Sequence, residues 1–69
     1  MAAIDIMVNG ERREVENATS VGRLLELLSL PEKRIAVELN GRVVGRADWP
    51  QAVLEQGDRV EVVHFVGGG

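Results

Sequence analysis

Asparagine is followed by glycine twice in this chain, at Asn9-Gly10 and again at Asn40-Gly41. Both residues of such a pair tolerate positive φ, which is what the tight two-residue hairpin turn demands. Each pair also lies between short segments of alternating character. Ile4, Ile6 and Val8 alternate with Asp5 and Met7, the pattern of a half-buried strand. Beyond the turn, Glu11 to Val15 returns as a mostly charged partner with Val15 its clearest inward residue. Around the second pair, Ile35, Val37 and Leu39 alternate with Ala36 and Glu38, and Arg42-Val43-Val44 begins a short return.

Between the hairpins the period changes. Val21, Leu24, Leu25 and Leu28 fall at i, i+3, i+4 and i+7, so the stretch Ser20 to Leu28 reads as a helix with one apolar face. Ser20 suits the N-cap. Arg23 stands where a capping box would have Glu, and Gly22 weakens the first turn, so packing is expected to hold this helix more than propensity. Pro31 stops it from continuing. Gly45 to Gln56 reads as an irregular crossing, with Trp49-Pro50 imposing an extended or turn backbone at Trp49. Gln56-Gly57-Asp58 is a further turn, and Arg59 to Phe65 is a Val-rich last strand.

The order is strand, strand, helix, strand, short strand, crossing, strand. It predicts an α+β domain, a mixed sheet of four to five strands with one helix across one face. A β-grasp (ubiquitin-like) arrangement has this order; periodicity alone also admits a small ferredoxin-like or other α+β fold. With 69 residues the chain is read as a single domain over 1–69, in which 66–69 form a flexible C-terminal tail. Aromatic residues make up 3%, so the core is built from Val, Leu, Ile and Ala. There is no cysteine, hence no disulfide, thiolate metal site or catalytic thiol. A net charge of −3 argues against a phosphate-backbone binder, and no apolar run has the length of a membrane span. The expectation is a cytoplasmic protein, monomeric when free, with no nucleic-acid or membrane partner.

The chain ends VEVVHFVGGG. A row of glycines is what a frayed end or a linker remnant looks like. It also suits a chemical purpose. Glycine has no Cβ, so such a segment can thread a narrow channel, and extended it reaches about 13 Å beyond Phe65 at about 3.3 Å per residue. The carboxylate of Gly69 would then lie in a partner's active site while the body stays outside. The reactive group on this reading belongs to the main chain.

Four stretches, VNGERREV, TSVGRLLELL, IAVELNGRVVGRADW and EQGDRVEVVHFVGGG, follow one another with the order and spacing of a known family. The chain resembles the thiamin-biosynthesis sulfur carriers, the ThiS family, among the β-grasp sulfur carriers and ubiquitin-like proteins. The resemblance implies a carrier and not an enzyme. An ATP-dependent, E1-like adenylating enzyme activates the terminal glycine, and cysteine-derived sulfur, supplied through a desulfurase, replaces the adenylate. The resulting thiocarboxylate donates sulfur to thiazole synthase. Matched onto this sequence, the adenylation and thiocarboxylate site is Gly69, Gly68 completes the terminal pair, and Gly67 adds to the flexible tail. Where the family usually has Glu early in the helix, this chain has Arg23. Sister carriers for molybdopterin, cysteine or tRNA thiolation share the tail chemistry, a ubiquitin-like modifier would form an isopeptide bond instead, and a plain interaction domain would need no reactive end.

In the last strand Val60 and Val62 share one face, while Arg59, Glu61, Val63 and Phe65 share the other. If the first pair meets the helix, Val63 and Phe65 lie on the open face beside the tail. Val63, His64, Phe65 and Val66 are then candidates for docking the activating enzyme and the synthase; a register shift that buries Phe65 is the alternative. His64 has no metal partner in sequence and reads as a structural or contact residue. Trp49 is expected to anchor the crossing, and Glu11-Arg12-Arg13-Glu14 to be a solvated strand. Gly41, Gly45 and Gly57 read as turn residues and match no phosphate-binding loop. No catalytic residue, metal ligand or cofactor is expected.

Overall fold

The computed structural model describes residues 2–31 and 33–65. The first hairpin pairs β1 (Ala3–Val8) with β2 (Glu11–Glu16), and the second pairs β3 (Ile35–Leu39) with β4 (Arg42–Val44), both antiparallel. Both loops are the expected two-residue turns. Asn9 and Gly10 have φ of 50° and 83°, and Asn40 and Gly41 have 53° and 85°. The last strand, β5 (Arg59–His64), then enters between the hairpins, giving the order β2-β1-β5-β3-β4. It runs parallel to β1, with Val8 beside Val60, and antiparallel to β3, with Val37 beside Val62. The five-stranded mixed sheet with one helix is the β-grasp arrangement.

The α-helix α1 (Val21–Leu27) closes one side of the core. Val21, Leu24 and Leu25 are buried against the inward residues of the strands, among them Ile6, Val37 and Val60. The Oγ of Ser20 accepts the amide N–H of Arg23 at 3.1 Å, the expected cap. Arg23, in place of a capping-box Glu, pairs along the surface with Glu26 at 3.0 Å. The helix stops before Pro31 acts. Ser29 takes a left-handed φ of 55°, its N–H donates to the Glu26 carbonyl, and that of Leu30 donates to the Leu25 carbonyl, each at 3.0 Å. This is a Schellman ending with serine where glycine is usual.

The crossing is more ordered than its composition suggests. Arg46–Asp48 make one turn of 3-10 helix, and Trp49 continues it with φ −54° and ψ −44°. The residue before a proline is normally pushed out of this region. Here the indole is held on both counts that matter: it is only 3% exposed, and its Nε1–H donates to the Val44 carbonyl at 2.9 Å. Trp49 therefore anchors the crossing, as its sequence context suggested. The crossing in turn serves α1, because the N–H groups of Val21 and Gly22 donate to the carbonyls of Ala52 at 2.8 Å and Trp49 at 3.0 Å. Helix N-terminal donors have no partner within their own helix and need one from outside. No helix among the described residues is long and apolar enough to cross a membrane.

Candidate functional site

From the sequence, the reactive end is expected at Gly69 and docking at Val63, His64, Phe65 and Val66. Val66, Gly67, Gly68 and Gly69 lie outside the described residues, so the site is described from β5, the strand that leads to them. This strand is held from both sides by the asparagines of the two turns. The Asn9 Oδ1 accepts the Val62 N–H at 2.8 Å, and the Asn40 Oδ1 accepts the Arg59 N–H at 2.9 Å. The Asn40 amide also donates to Asp58 Oδ1 at 3.0 Å. Each Asn-Gly pair thus shapes a hairpin and clamps the central strand. Backbone pairing with β3 runs one step past the strand end, where the Phe65 N–H donates to the carbonyl of Arg34 at 2.8 Å.

Alternation along β5 divides its side chains as the sequence predicts. Val60 and Val62 are buried under the helix side, whereas Val63 and Phe65 are 47% and 57% exposed. No register shift draws Phe65 into the core. Cross-strand register then assembles the open face. Ala36 stands opposite Val63, and Glu38 stands opposite both Glu61 on one side and Val43 on the other. Val43 is 72% exposed, so an apolar surface flanks a pair of carboxylates at the middle of the sheet. His64 shares the face of Val60 and Val62 yet is exposed.

Among the described residues no group of His, Asp and Glu is placed to hold a metal ion. Glu11, Arg12, Arg13 and Glu14 are all exposed, the solvated strand their composition implies, and Arg12 pairs with Asp5 at 2.6 Å. Sequence reasoning passed over Val43 and the pairing of Glu38 with Glu61. The first could have been found, because a two-residue turn at Asn40-Gly41 fixes Val43 opposite Glu38. The second needed the pairing of β3 with β5, which joins residues far apart in the chain.

The sequence model of the ThiS family matches residues 6–69. A thiazole synthase of Magnetococcus marinus is 42% identical over 64 residues, a stretch that covers 93% of this chain but only 20% of that protein. The chain therefore spans a small part of that relative's length. Sulfur carrier protein ThiS of Bacillus subtilis is 33% identical over 67 residues, covering 93% of this chain and 98% of that one. Among solved structures, the crystal structure of thiamine biosynthesis protein ThiS from Geobacter metallireducens matches with a TM-score of 0.80 at 35% identity, over 96% of this chain and all of that one.

Proposed function

This chain belongs to the ThiS family, and on that premise we propose that it is a sulfur carrier for thiamin biosynthesis whose reactive group is the carboxylate of Gly69. A carboxylate is a poor electrophile. Adenylation by an ATP-dependent, E1-like enzyme installs a good leaving group, and cysteine-derived sulfur then displaces AMP from the carbonyl carbon. The thiocarboxylate so formed is the sulfur donor for thiazole synthase. Val63, His64, Phe65 and Val66 are the docking residues that bring the tail to these enzymes, and the carrier itself performs no catalysis.

The observation that carries this reading is the extent of the family match, which runs to Gly69 and so takes in the glycine end as well as the body. The exposure of Val63 and Phe65, on the strand that leads to that end, supports docking there. The Magnetococcus marinus thiazole synthase supports the choice of acceptor, because a segment resembling this chain occupies part of that one polypeptide.

Intact mass spectrometry tests it. The chain is incubated with ATP, cysteine, a desulfurase and a cognate adenylating enzyme. Exchange of one terminal oxygen for sulfur is expected in the wild type and not in a chain lacking Gly69, whose Tm should be unchanged. A wild type of unaltered mass, with enzymes active on another carrier, would sink the reading.

A further inference from the structure

Glu38 and Glu61 face one another directly across the β3–β5 pair, on the side of the sheet away from α1. Like charges so placed destabilise a sheet, so the folding of the isolated chain has no use for this arrangement. No ion pair among the described residues neutralises it. The ion pairs among the described residues join Arg12 to Asp5 and Arg23 to Glu26, and neither glutamate takes part. Arg59, the nearest cation in the register, sits diagonally from Glu38, two residues along β5 from Glu61.

On the sides away from Arg59 the pair has apolar neighbours. Val43 stands beside Glu38 on one side, and Ala36 and Val63 form the next cross-strand pair. An exposed apolar surface with two carboxylates at its centre calls for an occupant that brings both apolar contact and positive charge. A second copy of this chain does not supply it, because Asp5, Glu14 and Glu16 outnumber Arg12 and Arg59 over the rest of this face. Two such faces would set carboxylates against carboxylates.

We propose that Glu38 and Glu61 form an acidic socket, rimmed by Val43 and Val63, that receives an arginine or lysine of the protein partner docking on this face. One basic side chain placed between them donates a charge-assisted hydrogen bond to each carboxylate and removes their repulsion. Binding the partner therefore relieves a cost present in the free chain. The inference rests on the carrier reading for the partner's identity, the adenylating enzyme, and adds the chemistry of the contact.

The test compares wild type, Glu38→Gln/Glu61→Gln and Glu38→Lys in titration calorimetry against the adenylating enzyme, in KM for thiocarboxylate formation, and in thermal unfolding. The double neutralisation is expected to weaken Kd about tenfold and to flatten its salt dependence, with a larger loss for the lysine. Its Tm is expected to rise by a few degrees. A merely structural role would lower stability and binding together, so the opposite signs are the signature. Glu26→Gln, on the helix and away from this face, serves as the control that binds as wild type does. Unchanged Kd and KM in both socket variants, with the wild type converted normally, overturns the socket and leaves the carrier reading standing. A wild type that is not converted by an enzyme active on another carrier overturns the carrier reading, and the assigned partner with it.

Discussion

Five residues other than glycine hold a left-handed backbone among those described: Asn9, Ala18, Ser29, Arg34 and Asn40. Asparagine tolerates this region, but a residue with an ordinary side chain is disfavoured there by about 1–2 kcal/mol. Asn9 and Asn40 form the two hairpin turns. Arg34 turns its carbonyl toward the Phe65 N–H, and Ser29 closes the end of α1. Ser29 has no side-chain hydrogen bond among those described, so its conformation is what the site requires and serine is a costly way to supply it. Ser29→Gly is expected to raise stability by about 1 kcal/mol, less the added freedom of the unfolded chain. The urea midpoint should move upward at constant m-value.

At the scale of the element, α1 shows how a weak helix is kept. Seven residues form too short a helix to persist alone in water. Its stability comes from the apolar face of Val21, Leu24 and Leu25, and from donors at its first turn that the crossing accepts. Gly22 looked like a flaw in that first turn. A Cβ there would meet the backbone of Trp49 at 3.5 Å and Pro50 at 3.6 Å, which is ordinary contact. Close packing by the crossing therefore does not demand glycine at this position. Gly22→Ala is expected to stabilise the chain by about 0.5–1 kcal/mol, read from denaturant unfolding. A loss of stability would mean that the crossing cannot shift to accept the methyl group.

At the scale of the whole molecule, among the described residues one face of the sheet is closed by the helix and the other is left open. The central strand is also the strand that leads to the glycines, so on the proposed function docking and delivery of the chain end would be mechanically one event. Because Phe65 is mostly exposed, Phe65→Ser should leave Tm nearly unchanged while raising Kd for the adenylating enzyme by about tenfold or more. Loss of both stability and binding would place Phe65 in the fold and not at an interface. Together with the socket variants, this separates the apolar part of the surface from its charged centre.

Much of this was legible in the sequence. Ile4, Ile6 and Val8, or Ile35 and Val37, reveal a buried strand face because burial on one side imposes a two-residue period, and Asn-Gly reveals its turn because few residues accept that backbone. The split of Val60 and Val62 from Val63 and Phe65 followed from the same rule. These are local consequences of chain geometry, so they can be read from neighbours. Which strands lie side by side is another matter. The parallel seating of β5 on β1, the asparagine side chains that clamp it, the Trp49 carbonyl that accepts the Gly22 N–H, and the facing of Glu38 and Glu61 all join residues distant in sequence. Only the tertiary structure decided them, because backbone hydrogen bonding pairs one strand with another without regard to which residues carry the amides, and the register is chosen by the burial of the whole core at once.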